Sequence, residues 1–342
     1  MKNYKHTLNQ VQSNYTHWSS VDNIKSKCFF CYKPLEGIDG DFHTACNKRF
    51  FGQLSSPEID YGNEELRDLA SKIIKSQMVL TGSQPKLPLS FHKNKNKNPV
   101  KRMTVMGLYG DYILTSPSSN SPYLPVIKDL TMKLSNLCGI KTVPHSLIRL
   151  TDETICYISK RIDRTRKEKL PMEDFCQLSG RLTEEKFHGS YEEIAKLIVK
   201  HSTNPYLDLT NFYEIVLFSY FTGNANMHLK NFSLWASDGK NPILSPAYNL
   251  ANTTLANSST QNELALTING QKNKITYHDF LNAFENTGLN EKILNKMLYN
   301  FYYCHHEMIH LIEKSFLNEQ NKEKYKDLIE KRFALIPKMI YN

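Results

Sequence analysis

The stretch Phe221 to Leu250, FTGNANMHLKNFSLWASDGKNPILSPAYNL, constrains the fold more than any other part of this chain. An aromatic-rich helix is predicted from Asn211 to Thr222, and Gly223-Asn224 ends it. His228, Lys230 and Asn231 then fall in a short loop before an apolar strand, Phe232 to Trp235. Ser237-Asp238-Gly239 is a turn signal, and a second apolar piece follows, leading to Pro246-Ala247-Tyr248-Asn249. The stretch therefore reads as loop, hairpin, loop.

A chain of 342 residues can bury a sizeable core, as one large domain or two lobes. No apolar run approaches the ~18 residues of a membrane span, and Met1 to Lys27 lacks the hydrophobic core of a signal peptide. Seven cysteines without a dense disulfide pattern suit a reducing compartment, so a cytoplasmic protein without membrane contact is expected. A net charge of +9 permits contact with nucleic acid or an acidic partner without requiring it. Much of that charge lies in His92 to Arg102, which reads as a solvated hairpin tip, with a phosphate-contacting loop as the alternative.

Two metal patterns stand out. Cys28, Cys31, His43 and Cys46 have the spacing C-x2-C-x11-H-x2-C, which can close a tetrahedral zinc site or reflect cysteines packed near a turn. His306-Glu307-Met308-Ile309-His310 matches H-E-x-x-H, two histidines one helical turn apart with a glutamate that could activate water. A short pattern in a chain with 12 histidines is weak support for a zinc metalloprotease, which stays a distant alternative.

The loop of the opening stretch resembles that of the HipA-like serine/threonine kinases, toxins of bacterial toxin-antitoxin pairs. Their catalytic loop reads Gly-Asn-x-Asp-x-His-x-Lys-Asn, matched here by Gly223, Asn224, Asn226, His228, Lys230 and Asn231, and their Pro-x-Tyr-Asp by Pro246, Tyr248 and Asn249. Both family aspartates are asparagines in this chain. Upstream, Leu80 to Leu87 resembles the family's Gly-x-Gln-x-Lys loop over the nucleotide phosphates, through Gly82, Gln84 and Lys86, with Thr81 and Ser83 as nearby hydroxyls. Thr115 stands where the family has a phosphate-pairing lysine, and Lys128 where it has the glutamate that faces that lysine. Arg161-Ile162-Asp163-Arg164 resembles the family's hinge, with Asp163 and Arg164 read as a structural ion pair.

This resemblance implies an α+β, two-lobed, protein-kinase-like fold. A tail (1–26) would precede a sheet-containing N-lobe (27–165) that opens on the cysteine/histidine element, followed by a mainly helical C-lobe (166–342). ATP would lie in a cleft lined by Gly82, Ser83, Gln84, Lys86, Thr115, Asn226, Lys230, Asn231 and Asn249. Kinase chemistry needs a carboxylate to take the hydroxyl proton and another to hold magnesium. Asn226 cannot act as that base, a role worth ~10²–10⁴ in rate. Asn249 offers a hard cation only a neutral oxygen, so magnesium should bind weakly or not at all. The leading expectation is a pseudokinase acting through a partner, an antitoxin or a paralogous HipA-like kinase, and meeting nucleic acid only through that partner. An active atypical kinase is the alternative, which would need another carboxylate, Asp111 or Glu214, to reach the cleft.

Overall fold

The computed structural model describes residues 26–37, 40–76, 86–91, 102–105, 110–165, 168–257, 262–334 and 336–337. Its larger sheet has the strand order β1-β3-β2-β4-β6-β5, formed by β1 (Glu58–Ile59), β2 (Lys86–Phe91), β3 (Arg102–Val105), β4 (Tyr112–Thr115), β5 (His145–Arg149) and β6 (Ile155–Lys160). Only the β1–β3 pair is parallel. Helix α1 (Thr44–Phe51) precedes β1, and α2 (Asn63–Ser76) follows it. The next helix, α3 (Leu124–Leu137), crosses behind β5 and β6. It is buried nearly all round, through Val126, Ile127, Leu130, Met132 and Leu134 but also through the polar Lys128, Asp129, Thr131 and Ser135.

A small sheet, β7-β8-β9, joins Met172–Asp174, Ser233–Trp235 and Ile243–Leu244. The remainder is helical: α4 (Phe175–Leu178), α5 (Tyr191–His201), α6 (Pro205–Phe221), α7 (Thr253–Ala256), α8 (Tyr277–Glu285), α9 (Glu291–Lys314) and α10 (Glu319–Phe333). Ser190 caps α5 by accepting from the Glu193 N–H at 3.1 Å, as the sequence predicts. The aromatic helix α6 begins at Pro205, earlier than its apolar run suggests, because proline is tolerated in a first turn that has no N–H partners. With Phe212, Tyr213, Phe218 and Phe221 all buried, it is the central post of the helical side.

Three features of this framework set the site. The β2–β4 register places Lys86 opposite Thr115, and the β4–β6 register places Thr115 opposite Tyr157. Lys86 and Leu87 are thus strand residues, a correction to the loop expected there; residues 77–85, with Gly82, Ser83 and Gln84, lie outside the described residues. The β7–β8 pairing brings Asp174 opposite Ser233, beside the 3-10 turn Leu229–Asn231. Helix α3 grips the segment after Asn249: the Asn252 N–H donates to Thr131 Oγ1 at 3.1 Å.

Candidate functional site

Gly223 opens the polar loop in the left-handed region, at φ +68. A Cβ there would displace the end of the Leu328 side chain and press on Asn252 and Thr254, and the positive φ favours glycine in any case. The loop then folds on itself: the His228 N–H donates to the Asn226 carbonyl at 3.0 Å, and the Asn231 N–H to the His228 carbonyl at 2.9 Å.

The amide of Asn231 has a forced orientation. Its Nδ2 lies 2.5 Å from the Asn226 carbonyl oxygen, which can only accept, so Oδ1 faces the other way. There it accepts from Asn249 Nδ2 at 2.9 Å. The side chain at the position that the resemblance assigns to cation binding, Asn249, is therefore bonded to a second residue of the expected cleft, Asn231, donor to acceptor. A carboxylate at 249 could not make this bond, since two acceptors at that separation repel unless a cation lies between them.

Around this pair the charge is positive. Lys128 is buried, at 5% exposure, with its Nζ 4.5 Å from the centre of the Tyr157 ring. Burial, and then the charge of Lys86, push its ammonium well below the ordinary range. Lys86 is lowered in turn by burial and by Lys186 and Lys230. His228 is pushed down to about 3 by burial and by the charges of Lys186, Lys86 and Lys230. Thr115 Oγ1, on the strand opposite Lys86, and Asn224 Nδ2, in the polar loop, are buried without a hydrogen-bond partner. Buried lysines close enough to depress one another mark a place whose energetics improve when an anion enters.

Lys230 departs from this pattern. Its Nζ is held by Asp174 Oδ2 at 2.7 Å, while Asp174 also caps α4 by accepting from the Gln177 N–H at 2.9 Å. Asp174 is the carboxylate that sequence reasoning missed, since its cleft position depends on the β7–β8 pairing. The two carboxylates expected instead are engaged elsewhere: Asp111 accepts from Ser90 Oγ at 2.9 Å, and Glu214 has its charge contact with Lys296. At the hinge, the closest partner of Asp163 is Arg161, at 2.7 Å, with Arg164 at 3.6 Å, so the ion pair expected there is made first with the other arginine.

The cysteine/histidine spacing does produce a cluster. The ligand atoms of Cys28, Cys31, His43 and Cys46 all lie within 4.8 Å of one another. His43 Nε2 is 2.8 Å from the Pro34 carbonyl, so Nε2 carries the proton and Nδ1 presents its lone pair. That Nδ1 is 3.4 Å from Cys31 Sγ and 3.8 Å from Cys46 Sγ. A tetrahedron with metal–ligand bonds of about 2.0–2.3 Å has edges of about 3.5–3.8 Å, so these side chains could hold a metal. Among the described residues this is the group of His, Cys, Asp and Glu with such proximity; His306, Glu307 and His310 do not join one. They sit on the exposed face of α9, and Glu330 pairs with His305 instead, at 3.1 Å.

The sequence profile of the HipA-like C-terminal domain matches residues 78–307. The chain belongs to this family. A Haemophilus influenzae protein provisionally named a kinase is 25% identical over 348 aligned positions, covering 90% of this chain and 97% of that protein. The Sinorhizobium fredii protein Y4dM, also provisionally named a kinase, is 29% identical, and the match covers 49% of this chain and 43% of that one. Among solved structures, HipA of a Shewanella oneidensis toxin-antitoxin system, determined with HipB and its operator DNA, superposes with a TM-score of 0.63. The identity is 20%, over 75% of this chain and 64% of that one. The HipA-like, kinase-type architecture expected from the loop motifs is thus present.

Proposed function

We propose that this HipA-like protein is a pseudokinase: its cleft takes the polyphosphate end of a nucleotide on lysines, without magnesium, and it acts by binding a partner. The observation that carries this reading is the Asn249–Asn231 amide bond, which satisfies without a cation the position where the resemblance would have an aspartate hold one. Lys86 and Lys128 supply the charge that magnesium would otherwise bring to the phosphates. We place the lobe boundary at residues 165/166, which puts Lys86, Thr115 and Lys128 on one wall and Asn226, Lys230, Asn231 and Asn249 on the other.

The partner we favour is an antitoxin or a paralogous HipA-like kinase in the cytoplasm, with nucleic acid contacted through that partner. The support is the Shewanella protein, solved together with HipB and DNA. The test of the cleft is a thermal shift with ATP or tripolyphosphate. Both are expected to stabilise the protein equally with magnesium or with a chelator, and Lys128→Met is expected to abolish most of the shift. Stabilisation by ATP that appears only with magnesium would overturn the reading.

One observation favours the active-kinase alternative: Asp174 is a carboxylate beside the loop lysine. Magnesium-dependent transfer of radiolabelled phosphate that is lost in Asp174→Asn would establish it in place of the pseudokinase.

We also assign zinc to the cluster of Cys28, Cys31, His43 and Cys46. Three cysteines and one histidine with their ligand atoms within 4.8 Å of one another suit a borderline-soft ion of closed coordination, which structural zinc is.

A further inference from the structure

The cysteine/histidine element touches more of the molecule than its size suggests. Towards the sheet, Arg149 at the end of β5 forks onto Asp41, with Nη2 at 2.7 Å from Oδ1 and Nε at 3.0 Å from Oδ2. The same guanidinium lies 5.1 Å from the centre of the Phe29 ring. Towards α3, Tyr32 donates its hydroxyl to Asp129 at 2.7 Å, and Lys133 lies over the Tyr32 ring at 5.0 Å. Asp129 is fully buried and directly follows Lys128, the cleft lysine.

Towards the helical side, the end of α9 is held from three directions. Lys27 Nζ donates to the carbonyls of Lys314, at 2.9 Å, and Ser315, at 3.2 Å. Phe316 meets the Phe29 ring edge-on at 5.2 Å and the Tyr32 ring at 4.9 Å. Carbonyls at a helix C-terminus lack partners within the helix, so a lysine placed there both satisfies them and complements the dipole.

Tyr32 is the joint of this arrangement. It follows Cys31 directly and has φ +63, a conformation that a bulky residue keeps only where its surroundings impose it. On one side stand the cluster sulfurs. On the other stand Asp129 and Phe316. The element itself has little regular structure: an isolated bridge between Lys27 and Pro34, a few turn hydrogen bonds, and α1 beginning after His43. The Phe29 N–H bond to the Asp41 carbonyl, at 2.9 Å, and the Phe29–Phe42 ring contact bring Cys28–Tyr32 near His43–Cys46, and four metal ligands drawn from those two segments would lock them together.

We propose that the zinc-closed element is a clasp: it fastens β5 and α3 to the end of α9, and so fixes the helix that carries Lys128 into the cleft. This rests on the zinc assignment and is independent of whether the cleft performs chemistry. The test uses the full chain, purified under reducing conditions without added metal. Its metal content is measured, and hydrogen exchange is followed by peptide before and after chelation. One zinc per chain is expected. Stripping it should raise exchange together in residues 26–52, 124–133 and 312–317, leave α6 unchanged, and be reversed by zinc alone.

Absence of stoichiometric zinc would overturn the metal assignment. One zinc per chain, with faster exchange confined to 26–52, would keep the metal and overturn the clasp. A rise that includes α6 would make the ion a condition of folding and overturn it equally. Phe316→Ala leaves all four donors in place, so it is expected to retain zinc while loosening 26–37 and 312–317. If both segments stay as protected as in the parent, the fastening lies elsewhere and the clasp is refuted.

Discussion

Replacing Asn249 with aspartate is expected to make the stability of this protein depend on magnesium, whereas that of the parent should not. In the parent, Asn249 donates to an acceptor whose orientation is fixed by the Asn226 carbonyl. Aspartate cannot donate, and it sets an anionic oxygen against Asn231 Oδ1. Without metal the variant should lose the bond and leave a buried acceptor unsatisfied, a penalty of about 1–3 kcal/mol. Magnesium between the two oxygens removes the conflict, and at a hundredfold excess over its Kd it returns about 2.7 kcal/mol. The measurement is a pair of melting curves per protein, with magnesium and with chelator: the curves of Asn249→Asp should separate, and those of the parent should coincide. Equal magnesium responses in both would mean that the amide pair does not occupy a cation position.

Activity follows a different rule. Asn226→Asp restores a group able to accept a proton, yet with Asn249 unchanged no ion orients the phosphates, so that single substitution should remain silent in phosphate transfer. The double variant Asn226→Asp/Asn249→Asp should bind Mg-ATP. It should still turn over slowly, because Thr115 and Lys128 stand where the family has a phosphate-pairing lysine and the glutamate facing it.

How much of this was legible in the sequence depends on the distance over which each feature is determined. The order of the loop motifs revealed the family, because a glycine that ends its helix at φ +68, and an amide that faces a carbonyl only five residues away, are local requirements. The Cys/His element was legible for the same reason: its donors lie within one short segment. Asp174 was not, since it is 56 positions from Lys230 and reaches it only through strand pairing. The amide bond itself was also hidden. Asn226 and Asn249 read as losses, and only the geometry shows that Asn249 gains a partner through the change. Likewise nothing local to Tyr32 predicts that its hydroxyl reaches Asp129, 97 positions away.

Acid should destabilise the protein through two histidines, and one of them reports on the cleft. His145 is pushed down to about 3 by burial and by the charges of Lys133 and Lys128, against a hydrogen bond to the Val143 carbonyl. His228 is pushed down to about 3 as well. Both are neutral in the folded state at pH 5 and charged in the unfolded chain, whose histidines titrate near 6.5. Their contribution is therefore full above about pH 6.5 and is lost as pH falls towards 3, at about 1.4 kcal/mol per pH unit for each histidine. Asp129 works in the opposite sense: burial raises its carboxyl, so its contribution is greatest in acid and is lost as pH rises through its folded value. The separable quantity is the difference between proteins. His228→Gln should flatten the slope of stability against pH by one proton between pH 6.5 and 4, and an unaltered slope would refute burial of a neutral imidazole there. Tripolyphosphate supplies the test of meaning: an anion among Lys86, Lys186 and Lys230 offsets the charges that depress His228, raises its pKa, and so must bind more tightly as pH falls. In His228→Gln the part of that pH dependence that falls between pH 6.5 and 4 should weaken, the part linked to Lys86 and Lys128 should stay, and binding at pH 8 should remain, since at that pH the parent imidazole is uncharged too.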